Sequence, residues 1–124
     1  MLALLLAAVL AAPNPALTPG AVRLLTKAQI CGTRWGLDHR FVTVAMKKQV
    51  AKSYGLPWSQ RWTVEFDHLV PRELGGADAV ANLWPQKWPE ARVKDRAENQ
   101  AHRDVCARTM TLEAAQDQMR HWGR

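Results

Sequence analysis

The aspartate–histidine pair Asp67-His68 is the part of this sequence whose residue types best suit chemistry. An imidazole with a pKa of about 6.5 can accept a proton from water at neutral pH. The carboxylate beside it can bind a cation. Gly75-Gly76 follows and permits an irregular backbone. Asn82, 14 residues after His68, could therefore fold back onto the histidine backbone.

A second pair of the same type, Asp38-His39, occurs earlier in the chain. Neither a glycine pair nor an asparagine follows it at a comparable distance. We interpret Asp38-His39 as surface or turn residues, and His68 as the functional histidine.

The elements that position this pair are predicted from hydrophobic spacing. Alternation of Trp62, Val64 and Phe66 with polar residues indicates a strand over residues 62–70, and residues 81–84 favour a short return strand. We expect Trp62 and Trp84 to lie in the core and Trp88 to be a candidate for stacking on bases. Helices are predicted over residues 42–53 and 90–107, and from Thr111 or Leu112 to about His121. The predicted fold class is α+β, mainly helical around a short antiparallel hairpin.

The helix over residues 90–107 is predicted to present a polar face to Asp67. Helical spacing places one polar set together: Asp95, Asn99, His102 and Cys106. An apolar set is expected on the other side, against the core: Val93, Ala97, Ala101 and Val105.

Asp67-His68, the Gly-Gly loop and Asn82-Leu83 together resemble the motif of HNH, or ββα-metal, endonucleases. The resemblance implies that Asp67 ligates a metal ion, that His68 is the general base and that Asn82 braces the loop. It implies one divalent ion, Mg²⁺ or Mn²⁺ before Zn²⁺ or Ni²⁺. The core motif would span about residues 62–107.

The sequence departs from the common HNH spacing in the helix. Ala91 stands about nine residues past Asn82, where the family usually has a ligand, and the segment of residues 84–89 resembles an insertion that delays the helix. Asn99 is the first choice for the helix ligand and His102 the second.

The charge balance favours a polyanionic partner. Lys and Arg number 17 against 11 Asp and Glu, the net charge is +6, and the pI is about 9.9. Such a balance suits a phosphate backbone, although it also occurs for solubility alone. The predicted partner is DNA, with RNA as a second substrate, and an exported binding module without catalysis is the alternative. Six basic residues near the motif are the predicted phosphate contacts: Arg72, Lys87, Arg92, Lys94, Arg96 and Arg103.

An unbroken apolar run over residues 2–12 predicts a signal peptide at residues 1–12, although no Lys or Arg precedes it. Residues 13–25, rich in Pro and small residues, read as a flexible connector to a single nuclease-like domain over residues 26–124. Two cysteines in an exported chain predict a Cys31–Cys106 disulfide. The expected product is a secreted or periplasmic monomer without stable membrane association after leader removal.

Overall fold

The structure, a computed structural model, describes residues 12–124. The predicted signal peptide lies outside these residues except for Ala12. The fold is α+β, as predicted, with one two-stranded antiparallel sheet and four α-helices in the described part of the chain. The bounds are α1 (Lys27–Gly32), α2 (Val44–Ser53), β1 (Val64–His68), β2 (Leu83–Lys87), α3 (Trp88–Cys106) and α4 (Leu112–Arg120). Between residues 12 and 124, no helix is long and apolar enough to cross a membrane.

The hairpin pairs β1 with β2 so that His68 lies opposite Leu83 and Val64 opposite Lys87. Trp84 is fully buried, as predicted. The prediction for Trp62 is wrong, because its side chain is 75% exposed. The chain from Trp58 to Thr63 forms a 3₁₀ helix after Pro57, so the strand begins only at Val64 and Trp62 turns toward solvent.

Two apolar clusters hold the elements around the hairpin. The first joins α2 to the strands through residues that include Val50, Tyr54, Phe66 and Trp84. The second joins α3 and α4 to the loop after β1, and its buried members are Val70, Leu74, Ala101, Val105, Ala115 and Met119. α2 therefore packs against the hairpin, and α3 and α4 pack against the loop that follows β1.

Local capping sets where the helices begin. The Thr43 hydroxyl accepts a hydrogen bond from the backbone N–H of Met46 at the start of α2, and Thr111 does the same for Ala114 at the start of α4. Pro89 lies in the first turn of α3, where a missing N–H costs no helical hydrogen bond. Threonine and proline thus account for three helix starts that the sequence predicts to within two residues.

The segment predicted to be a flexible connector, residues 13–25, is packed onto the domain. The Thr18 hydroxyl is buried and donates to the Leu83 carbonyl at 3.0 Å, and it lies 2.6 Å from the Tyr54 hydroxyl. The Gly20 N–H donates to the Ala81 carbonyl. The connector prediction is corrected, because these hydrogen bonds attach the segment to Leu83 in β2, to Ala81 just before it and to Tyr54 just after α2.

A disulfide joins Cys31 in α1 to Cys106 at the end of α3, as predicted. The bridge closes a separation of 75 residues. A loop of that length corresponds to a stabilisation of about 4 kcal/mol in the chain-entropy account. The short helix α1 is thereby fixed against α3.

Candidate active site

The loop between the strands is held by Asn82. Its side-chain oxygen accepts from the Val70 N–H at 2.9 Å, and its amide nitrogen donates to the carbonyls of Val70 at 2.9 Å and Ala77 at 3.1 Å. A Cβ on Gly76 would lie 1.7 Å from the Val70 oxygen and 2.8 Å from Asn82 Nδ2. Only glycine therefore permits this loop to close over the end of β1.

Asp67 and His68 both line a cavity of about 300 Å³ at the end of β1. Consecutive strand residues point to opposite faces, but β1 ends at His68 and the chain bends directly afterwards. The cavity also receives residues from the segment before α2, from a 3₁₀ turn at Arg72–Leu74 and from α3. The full lining is Trp35, Gly36, Asp38, Arg40, Glu65, Asp67, His68, Pro71, Arg72, Glu73, Asp95 and Glu98.

Three carboxylates converge on this cavity. Glu65 and Asp67 lie two residues apart on one face of β1, and Asp95 reaches them from α3. One oxygen of each lies within 4.8 Å of the other two. Burial raises the pKa of Glu65 to about 7, and the charges of Asp67 and Asp95 contribute to the rise. The cluster therefore concentrates negative charge that a cation would relieve.

Lys94 is fully buried behind the cluster. Its ammonium lies 2.8 Å from Asp67 Oδ2 and 2.7 Å from Glu98 Oε2, and it donates to the His68 carbonyl at 2.8 Å. Burial lowers the pKa of Lys94, but Asp67 and Glu98 outweigh that effect and raise it. The prediction that Lys94 contacts phosphate is wrong, because the ammonium is enclosed among protein oxygens.

His68 is held by Asp78, whose Oδ1 accepts from the Nε2–H at 2.8 Å. Nδ1 is then the ring nitrogen that carries the lone pair, and Arg40 Nη2 lies 3.5 Å from it. Burial lowers the pKa of His68 to about 4, although the hydrogen bond to Asp78 opposes the change. The ring is therefore neutral at physiological pH and can accept a proton at Nδ1.

Arg72 is held between two acids rather than facing solvent. Its Nε lies 3.0 Å from Asp78 Oδ1 and its Nη2 lies 2.6 Å from Asp38 Oδ2, and Nη2 also donates to the His39 carbonyl at 2.7 Å. Its side chain is 13% exposed. The role predicted for Arg72, binding phosphate, is corrected: the guanidinium positions Asp78, and through it His68.

The two candidate helix ligands lie away from the cavity. Asn99 is exposed, and His102 Nε2 lies 3.3 Å from the Ile30 carbonyl and 3.8 Å from Cys106 Sγ. Neither residue lines the cavity that contains Asp67 and His68. Asp95 is the α3 residue whose carboxylate lies within 4.8 Å of those of Glu65 and Asp67, so the structure provides a carboxylate where Asn99 or His102 was expected.

The orientation of α3 explains this difference. Its buried stripe consists of Ala91, Lys94, Glu98, Ala101 and Val105, at helical spacing. Val93, predicted to face the core, is 50% exposed. The buried stripe can include Lys94 and Glu98 because their charges pair with each other. A helix face that contains charged residues in the sequence is therefore buried in the structure.

Four residues of the site escaped the sequence prediction: Glu65, Asp78, Asp38 and Arg40. Glu65 carries a signal that could have found it, since residues two apart in a strand share a face. Asp78 follows the glycine loop within the motif region, but its pairing with His68 depends on the loop path. Asp38 and Arg40 are distant in sequence, and no local pattern marks them.

The other predicted phosphate contacts lie outside the cavity. Arg92, Arg96 and Arg103 are exposed along α3, and Lys87 is half-buried at the end of β2. None of the four lines the cavity around His68. Their contact with phosphate stays a prediction.

No protein-family model matches the sequence, and no curated protein or solved structure gives a significant match. The functional conclusion therefore depends on the geometry and chemistry of the site. The site consists of a neutral histidine, oriented by Asp78, and three converging carboxylates in one cavity.

Proposed function

We propose that this protein is a metal-dependent endonuclease with an HNH-like ββα core, which hydrolyses phosphodiester bonds of DNA and, as a second substrate, RNA. The observation that carries the proposal is that His68 and the Glu65–Asp67–Asp95 cluster line one cavity. Hydrolysis of a phosphodiester needs a base for water and positive charge beside the phosphate. A neutral imidazole and a cation-binding cluster supply these two needs side by side.

The donor set suits one hard divalent ion. All three donors are carboxylate oxygens, and their separation, within 4.8 Å, is close to that of ligands around a single ion. Mg²⁺ or Mn²⁺ fits oxygen donors better than Zn²⁺ or Ni²⁺, which imidazole would favour. We therefore assign Asp95, in place of Asn99 or His102, as the helix ligand beside Asp67.

Each residue has a role in the proposed reaction. His68 Nδ1 takes the proton from the attacking water, while Asp78 keeps the ring oriented and stabilises the imidazolium that forms. The bound ion would supply positive charge to the phosphate oxygens. Arg40, which lines the same cavity, can donate to a phosphate oxygen. Asn82 positions His68 through the loop and does not touch the reacting atoms.

The disulfide supports an exported protein as part of this proposal. Disulfides persist in oxidising compartments and are rare in the cytosol. The Cys31–Cys106 bridge is therefore consistent with a secreted or periplasmic nuclease, which we propose acts as a monomer.

The test is cleavage of plasmid DNA by the oxidised protein with Mg²⁺, with Mn²⁺ and with EDTA. We expect nicking or degradation only with metal. His68→Ala should lower the rate by about 10²-fold or more, as loss of a general base does. His39→Ala is the matched control, because His39 belongs to the other Asp-His pair and packs edge-on against Phe41 outside the cavity.

Two results would contradict the proposal. Cleavage that continues in EDTA would exclude a metal-dependent reaction. Equal cleavage rates for His68→Ala and the wild type would exclude His68 as the general base. Retained DNA binding without cleavage in any metal would favour the alternative, a binding module on the same scaffold.

A further inference from the structure

A second and larger cavity, of about 740 Å³, adjoins the first along β1. Arg40 and Glu65 line both cavities, so the two adjoin at these residues. We propose that the larger cavity, here called the aromatic groove, binds an unpaired polynucleotide strand and leads its backbone to the carboxylate cluster. This inference rests on the proposed function and adds the substrate class.

Exposed tryptophans form one side of the aromatic groove. Trp62 is 75% exposed and Trp88 is 43% exposed. The Trp88 indole N–H donates to the Trp62 carbonyl at 3.1 Å, which ties the beginning of α3 to the 3₁₀ helix before β1. Large aromatic side chains that remain in water cost free energy unless a ligand covers them. A nucleobase is a flat ligand that stacks on such a ring whatever its sequence.

Cations lie over and beside these rings. The Arg61 guanidinium carbon is 4.6 Å from the centroid of the Trp62 ring and 5.0 Å from that of Trp58. Lys48 Nζ is 5.6 Å from the Trp58 ring. Among the residues that line the aromatic groove, four are basic and Glu65 alone is acidic. Positive charge interleaved with aromatic faces is complementary to a chain that alternates phosphates with bases.

The geometry favours a single strand over a duplex. In a duplex each base is already stacked on its neighbours, so a tryptophan face can cover a base only where pairing is absent. Glu65 lies where the aromatic groove meets the candidate metal cluster. A strand whose bases stack on Trp62 and Trp88 would therefore pass its phosphates toward that cluster.

Binding is measured by fluorescence anisotropy in EDTA, where no cleavage interferes. The probes are labelled oligothymidine and oligouridine of about 12 nucleotides, and the same thymidine strand annealed to its complement. We expect one of the single strands to bind at least about tenfold more tightly than the duplex, and the tighter of the two identifies DNA or RNA. Trp62→Ala should weaken single-strand binding by about tenfold. Leu24→Ala, at a fully exposed apolar residue outside the aromatic groove, should not change it.

Salt dependence tests the charge separately. Lys48→Gln should reduce the slope of log affinity against log salt by about 0.7, as loss of one single-strand phosphate contact does. Lys27→Gln, outside the aromatic groove, should leave the slope unchanged. Equal affinity for duplex and single strands, or a Trp62→Ala variant that binds as the wild type does, would overturn the inference.

The two proposals fail in different ways. Strand binding that is lost in Trp62→Ala supports the groove assignment even if no metal produces cleavage, and the missing cleavage then counts against the nuclease alone. Metal-dependent cleavage with unchanged binding by Trp62→Ala leaves the nuclease and overturns the groove assignment.

Discussion

Asp78 Oδ1 lies 2.8 Å from His68 Nε2, although the two residues are ten positions apart in the chain and the glycine loop lies between them. This contact selects the tautomer in which Nδ1 carries the lone pair. It also opposes the lowering of the His68 pKa by burial. Because Arg72 holds the same carboxylate at 3.0 Å, the orientation of His68 depends on residues that never touch the substrate in our proposal.

Asp78→Asn tests this positioning role. The amide cannot stabilise the imidazolium as a carboxylate does, so we expect the metal-dependent cleavage rate to fall by about 10- to 100-fold with little change in KM. Initial rates over a range of DNA concentrations separate the two parameters. Asp117→Asn, at an exposed ion pair with Arg120 on α4, is the control and should cleave as the wild type does. An unchanged kcat in Asp78→Asn would exclude the role.

Glu65→Gln tests the charge of the carboxylate cluster through stability. The pKa of Glu65 in the fold, about 7, lies above its ordinary value of 4.5 because of burial and the neighbouring acids. The native state then holds the proton more tightly than the unfolded state, so this group's contribution to stability is full below pH 4.5 and is lost as the pH rises through 7. As the pH rises from 4.5 to 7, the melting temperature of Glu65→Gln should therefore increase relative to that of the wild type.

Divalent ions should raise the melting temperature of the wild type more than that of Glu65→Gln. A ligand that binds only the folded state raises its melting temperature by mass action, so Mg²⁺ or Mn²⁺ should stabilise the wild type relative to EDTA. Glu65→Gln lacks one donor and should respond less. Thermal melts at neutral pH, with Glu113→Gln at an exposed residue of α4 as the control, measure both effects. Identical metal responses in Glu65→Gln and the wild type would contradict the assignment of Glu65.

Lys94→Met should destabilise the fold by about 3–5 kcal/mol, because removal of one partner leaves buried carboxylates without a counter-charge. Urea unfolding measures the loss. Adding Glu98→Met to Lys94→Met should recover part of it, since Asp67 alone then lacks its partner. Lys27→Met, at an exposed residue of α1, should cost little. Equal stability of Lys94→Met and the wild type would exclude a structural role for the ammonium.

Gly76→Ala should prevent the loop from closing, because its Cβ would occupy the space of the Val70 carbonyl. We expect little folded protein by circular dichroism and by solubility. Gly32→Ala, at a position with no atom within 4 Å of the added carbon, is the matched control and should fold normally. A soluble Gly76→Ala variant with the wild-type melting temperature would show that the loop adapts.

Local signals account for the parts of the fold that the sequence predicts. Thr43, Thr111 and Pro89 mark helix starts through contacts within a few residues, and the alternation around Phe66 marks the strand. The disulfide follows from an even cysteine count. The Asp67-His68 pair and Asn82 lie in one motif, so their proximity can be anticipated without knowledge of the rest of the chain.

Long-range pairing accounts for the parts that the sequence does not predict. Lys94 reads as a surface cation until Asp67 and Glu98 are seen to enclose it, and its burial rotates α3 so that Asp95 faces the cluster. Asp38 reaches Arg72 from a segment 34 residues earlier. These contacts depend on tertiary structure, and hydrophobic periodicity carries no information about them.

The loop structure itself requires Gly76, whereas only the proposed activity requires His68. Replacement of His68 removes the proposed base but leaves the Asn82 hydrogen bonds in place, whereas any side chain at position 76 meets the Val70 carbonyl. Descendants of this chain without the proposed activity would therefore still keep the glycine and the asparagine. In such descendants, Gly76 and Asn82 would indicate that the loop is retained. The proposed catalysis would be inferred only where His68 is present as well.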